Sequence, residues 1–150
     1  MKSTSLRLVV CCAALAAMGT AHAADNLSKG ARADGSSKAD GSSYGVVLDG
    51  DVATAWQPAG DAGESVCVKW DSAKTVAAAI VREAGDNITA WRLEDRNGSK
   101  LKTLAEGNTL GGSAAVITFE PVSSKKICVV VVSAKGKPAI AEIETYAAKP

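Results

Sequence analysis

The segment Leu48-Asp49-Gly50-Asp51-Val52-Ala53-Thr54-Ala55-Trp56 holds the residues whose types and spacing most resemble a chemical site. Two aspartates flank a glycine, which supplies the positive φ of a tight turn. The turn gathers the Asp49 and Asp51 carboxylates, the Thr54 hydroxyl and the carbonyls between them. Clustered oxygens of this kind suit a hard cation such as Ca²⁺, at roughly 2.3–2.6 Å. The spacing misses the EF-hand pattern, which places acids at alternate positions with a late glutamate. The alternative is a solvated acidic turn, pinned to a core by Trp56.

What must position such a turn is an exported domain. Met1 to Arg7 is basic, Leu8 to Met18 is apolar, and Ala21-His22-Ala23 has the small residues of a signal-peptidase site. Residues 1–23 therefore read as a signal peptide, too short in its apolar part to span a membrane. The remainder, residues 24–150, suits one domain. Its loss of His22 leaves no histidine, which excludes Ser-His-Asp and Cys-His catalysis and any histidine metal site. Removing Lys2 and Arg7 takes 17 basic residues to 15 against 16 acids, so the formal charge moves from +1 to −1. A near-neutral chain without a basic block in its sequence predicts no nucleic-acid partner and no membrane insertion. Cys67 and Cys128 remain, and export makes a disulfide between them the default. Two buried thiols on separate strands are the alternative.

Gly30 to Gly45 is rich in Gly, Ser, Asp and Ala and reads as an irregular surface loop ending at Tyr44. Beyond Trp56 a two-residue alternation takes over. Val66, Val68 and Trp70 point one way, with Cys67 and Lys69 the other. Val76, Ala78, Ile80 and Arg82 form a second row, and Trp91 with Leu93 a third. Asn97-Gly98 signals a hairpin. Ala115, Ile117 and Phe119 alternate with Val116 and Thr118. Ile127 to Val132 is apolar on both faces, as a central strand is, and Ile140 to Tyr146 closes the chain. Short strands divided by turn residues predict an all-β sandwich.

The order of these elements resembles the discoidin, or F5/8 type C, family, whose fold is the galactose-binding-domain-like jelly roll. Asn26-Leu27 resembles its opening, Leu48 to Trp56 its V-D-G-D-x-x-T-x-W stretch, and Glu64 to Asp71 its W-x-x-V-D-L-G run. Ile140-Ala141-Glu142-Ile143-Glu144-Thr145-Tyr146 resembles its last strand, I-x-E-I-x-V-Y. The middle is similar to the accessory β-sandwich of bacterial α-L-fucosidases. The residues carrying that likeness are Val81-Arg82-Glu83, Leu104 to Gly111 and Phe119-Glu120-Pro121-Val122.

The resemblance implies a structural Ca²⁺ held by Asp49, Asp51, Thr54 and Glu142, with carbonyls near Val47 and Ala141. It also implies a sugar site among the loops at one end, where an aromatic ring stacks on a pyranose and Arg or Asn fixes its hydroxyls. Trp56, Trp70, Trp91 and Phe119 fall on core positions. That leaves Tyr44 as the platform, with Arg82 and Asn87 as donors. The first functional reading is an exported, non-catalytic, lectin-like module with a carbohydrate or glycan partner. A protein-interaction or adhesion domain of the envelope is the alternative, since one sandwich serves both. An enzyme finds no support: no nucleophile motif is present, and no acid pair is spaced across a cleft.

Overall fold

The computed structural model describes residues 24–111 and 114–150; the signal peptide expected over residues 1–23 lies outside them. Six strands follow in order: β1 (Arg32–Gly35), β2 (Glu64–Glu83), β3 (Ile88–Asp95), β4 (Lys102–Gly107), β5 (Ala115–Ala134) and β6 (Ile140–Tyr146). A 3-10 turn, Gly45–Leu48, lies between β1 and β2. All pairings are antiparallel.

Two twenty-residue strands, β2 and β5, build the sandwich by serving both of its layers. The first layer runs β1, the front of β2, the rear of β5, β3 and β4. The second pairs the front of β5 with the rear of β2 and adds β6. Register breaks between Lys69 and Lys74, and between Val76 and Ala78, mark where the strands turn from one layer to the other. The inner faces meet in one core. Val66, Val68, Leu93, Ile127, Val129, Val131, Ala79, Val81 and Ile143 are all shielded from solvent there. Each of the Val, Leu and Ile side chains contributes roughly 1.5–3 kcal/mol of burial. Trp56, Trp70 and Trp91 are buried and Phe119 packs against the same core, as their positions in the sequence pattern predict.

Two sequence expectations are corrected. Val76, Ala78, Ile80 and Arg82 do not form one row. The bulge after Val76 shifts the alternation by one, so Val76, Ala79 and Val81 enter the core while Ile80 and Arg82 face outward. The Gly30–Gly45 segment is not wholly irregular, because Arg32–Gly35 pairs with Val66–Lys69. Its Arg-Ala-Asp-Gly sequence has little strand propensity, and backbone pairing to β2 overrides that. Gly35 is needed where it stands. A Cβ there would lie 2.5 Å from the Tyr44 ring and from the Ser65 carbonyl.

Cys67 and Cys128 sit directly opposite each other on β2 and β5. Their Cα atoms are 4.0 Å apart and the sulfurs are bonded, so the expected disulfide is present. Both residues are buried. The native chain from Ala24 should therefore resist alkylation by iodoacetamide and gain two adducts, by mass, only after denaturation and reduction. A native chain that takes up label without reductant would contradict the bridge.

A carboxylate pair joining the Asp-Gly-Asp turn to the last strand

The turn is wound on its own side chains. Gly50 has φ +80°, a conformation few other residues adopt readily. Asp49 Oδ1 accepts the Asp51 N–H at 2.8 Å, and Thr54 Oγ1 donates to Asp49 Oδ2 at 2.9 Å. The Asp51 carboxylate accepts the Ala53 N–H at 2.9 Å, while the Asp51 carbonyl accepts the Thr54 N–H at 3.1 Å. Trp56 then fixes the turn to the fold. Its backbone exchanges two hydrogen bonds with Ile140, and its indole N–H donates to the Ser37 carbonyl at 3.0 Å. That bridge holds the turn against the start of β6, so Glu142 reaches it and accepts the Gly50 N–H at 2.7 Å.

Asp49 and Glu142 thus face each other across 92 positions between Gly50 and Glu142 in the chain. Their environments differ. The Asp51 N–H, then the Thr54 hydroxyl, hold the Asp49 carboxyl below its usual range. Glu142 is only 5% exposed. Burial first, then the neighbouring charges of Asp49 and Glu144, push it up to about 7, against the favourable Gly50 N–H. Below about pH 7 the pair therefore carries mainly the Asp49 charge, and the Glu142 carboxyl ionises only near neutrality.

The pair opens into a cavity of about 330 Å³ whose rim includes Asn26, Lys29, Leu48, Val52 and Arg82. Arg82 is occupied there: its guanidinium lies 3.0 Å from Glu144 Oε1. Glu144 also accepts the Tyr146 hydroxyl. Burial and that carboxylate raise the phenol to about 12.

Asp49, Thr54 and Glu142 come together, with Asp51 beside them through its backbone and a carboxylate turned to Ala53. Among the described residues no three acid, histidine or cysteine side chains form a metal cluster. A hard cation would therefore draw on the Asp49 and Glu142 carboxylates together with hydroxyl and carbonyl oxygens, which Ca²⁺ accepts. A cation held between them would favour the ionised form of both carboxylates, as metal binding requires.

The three expected sugar contacts all lie toward the end of the sandwich that carries the long loops, but on different surfaces. Tyr44 is half-buried, its ring laid on Gly35 and against the core. Asn87 ties the β2–β3 turn to the β5–β6 connection, donating from Nδ2 to the Lys137 carbonyl at 2.9 Å. Arg82 lines the carboxylate cavity, which neither of the others lines. Two carboxylates went unnoticed in the sequence. Glu83 is buried and accepts the Asn87 and Ile88 N–H groups at 2.6 and 2.8 Å, tying the β2–β3 turn. Glu94 is buried between Arg92 and Arg96, at 3.1 and 2.8 Å. An acid in a strand gives no sign of such burial until its neighbouring strand is known.

Comparison with solved structures supplies the context for this geometry. A chitosan-binding module in complex with chitotriose, from a Paenibacillus sp. IK-5 chitosanase/glucanase, superposes at TM-score 0.73. It is 22% identical and covers 81% of this chain and 99% of its own. The chain has the galactose-binding-domain-like fold. The family 32 carbohydrate-binding module of Clostridium perfringens NanJ, solved with galactose, matches at TM-score 0.69 and 22% identity. The match covers 77% of this chain and 93% of that module. SpGH29 matches at TM-score 0.74 and 22% identity over 84% of this chain, which spans only 28% of SpGH29. No protein-family model and no curated protein matches the sequence. Among the described residues no helix is long and apolar enough to cross a membrane.

Proposed function

We propose that residues 24–150 form an exported, non-catalytic carbohydrate-binding domain with a structural Ca²⁺ between the Asp-Gly-Asp turn and β6. The observation that carries this reading is the likeness to isolated sugar-binding modules along almost their entire length. The absence of histidine beyond His22 agrees with a non-catalytic role. The calcium would be held by Asp49 and Glu142, with Thr54 and the backbone of Asp51 beside them, and it would lock the loop that Trp56 anchors. It would supply only charge and rigidity. The sugar would sit at the long-loop end against Asn87, with Tyr44 and Arg82 as candidate contacts on the adjoining surfaces rather than around one pocket.

No observation favours the protein-interaction alternative. Among the described residues the exposed large apolar side chains are Val52 on the turn, Leu101 before β4, and Val116 and Val132 at distant positions of β5.

A glycan array probed with the purified domain tests the reading. Selective retention of neutral glycans is expected in Ca²⁺, and an array without any bound glycan would overturn it. Asn87→Ala tests the loop-end contact, because Asn87 is half-buried and among the described residues its Nδ2 bond is the one side-chain bond lost. We expect glycan retention to fall about tenfold, the worth of one or two hydrogen bonds. Unchanged retention would remove Asn87 from the site.

A further inference from the structure

The end of the first layer opposite the long loops carries a concentration of cations that the sugar reading does not use. Arg32, Lys69 and Lys126 occupy directly paired positions on β1, β2 and β5. Neighbouring strands lie about 4.8 Å apart, so three positive side chains stand in a row across the sheet. Like charges opposite one another destabilise a sheet. Arg96 and Lys125 extend the row over a groove of about 550 Å³. Lys29 and Lys74 flank an adjoining cavity of about 390 Å³, which shares Arg32, Lys69, Trp70 and Asp71 with the first.

The protein's own acids offset only part of this charge. Asp71 takes Arg32, Asp34 lies 2.7 Å from Lys126 and 4.0 Å from Lys69, and Glu94 takes Arg96. Asp95 is nearby and accepts the Ser124 hydroxyl. Among the described residues Lys29, Lys74 and Lys125 have no ion-pair partner, and all three are exposed. A chain of formal charge −1 after loss of residues 1–23 thus places seven of its 15 basic residues around these two cavities.

We propose that this cationic groove is a second binding surface, for an acidic polysaccharide whose carboxylate or sulfate groups repeat along its chain. The spacing of the row is comparable to the length of one pyranose ring, so successive anionic sugars meet successive strands. Trp70 forms the floor, but it is only 6% exposed and its indole N–H is bound to the Leu27 carbonyl at 2.8 Å. No exposed ring is thus offered for bases to stack on, which favours a glycan over single-stranded nucleic acid. The surface goes beyond the proposed neutral-sugar site and does not depend on it.

Affinity electrophoresis of the domain through gels containing polygalacturonate, dextran sulfate or uncharged dextran tests the proposal. Retardation is expected with one or both anionic polymers, absent with dextran and sharply reduced by added salt. The variant Lys74→Gln/Lys125→Gln removes two charges that hold no internal partner among the described residues and lie outside the carboxylate cavity. It should keep its melting temperature and its neutral-glycan array profile, and weaken polyanion binding about tenfold or more. Wild-type mobility that neither anionic polymer changes would overturn the proposal, as would full binding by the double variant. Tighter binding to single-stranded DNA than to either anionic polysaccharide would overturn the glycan assignment. A blank neutral-glycan array with retained polyanion binding would count against the loop-end sugar site alone.

Discussion

Trp56→Ala is expected to lower the unfolding free energy by about 3–5 kcal/mol, the range for truncating a large buried aromatic. Trp56 is fully buried at the junction of the Asp-Gly-Asp turn, β6 and the core. Its removal leaves a cavity among side chains that a sandwich pinned by paired strands cannot close. It also withdraws the indole N–H from the Ser37 carbonyl, so the loop after β1 loses its tie as well. Urea unfolding should show the midpoint falling with the slope nearly unchanged, since the same surface is exposed on unfolding. Trp56→Phe keeps most of the volume and loses the hydrogen bond, so it should cost far less, about 1–2 kcal/mol. A loss below about 1 kcal/mol for Trp56→Ala would mean that the ring does not anchor the turn.

The legible parts of this fold are those in which local pattern and tertiary pairing agree. Ile127 to Val132 reads as central because both of its faces are apolar, and β5 is indeed flanked by β2 and β3. Ile140 to Tyr146 matches β6 to the residue. Cys67 and Cys128 are readable as a pair because they are the two cysteines left beyond the expected signal peptide, and the strand register sets them opposite each other. What stays hidden depends on a neighbouring strand. The Val76 bulge inverts half of β2, yet no residue type announces it. β1 is held by backbone bonds that Arg-Ala-Asp-Gly does not advertise. In the carboxylate site, Asp49 and Thr54 are local and readable, whereas Glu142 enters only through the resemblance. The cationic row is invisible in the sequence for the same reason. Arg32, Lys69 and Lys126 come from three distant segments, so a chain without a basic block still builds a basic surface.

Calcium should raise the melting temperature of the wild-type domain by about 10 °C, through a site that spans the chain. An ion that binds only the folded state at a hundredfold excess over its Kd adds about 2.7 kcal/mol, which for a domain of this size is a shift of that order. Asp49→Ala and Glu142→Ala each remove a ligand and should lose the shift equally. Asp49→Asn keeps an oxygen and should lose less. The pH dependence gives a second signature. In EDTA, Glu142 holds its proton up to about 7 in the folded state, against an ordinary value of 4.5. The folded state therefore binds more protons than the unfolded one between these values. The stability this group contributes is full below the unfolded value and is lost as pH rises through about 7. Asp49, with its lowered carboxyl, acts in the opposite sense but only in more acid solution. Between about pH 5.5 and pH 8 the EDTA melting temperature should fall on this account. Calcium binds the deprotonated pair, so its stabilising shift should grow over the same interval. Glu142→Gln should flatten the EDTA profile and, because its amide oxygen remains, reduce the calcium shift by less than Glu142→Ala does. Coincident wild-type melting curves in EDTA and in millimolar Ca²⁺, with metal removal verified, would leave the loop as a turn held by Gly50, Thr54 and Trp56 alone.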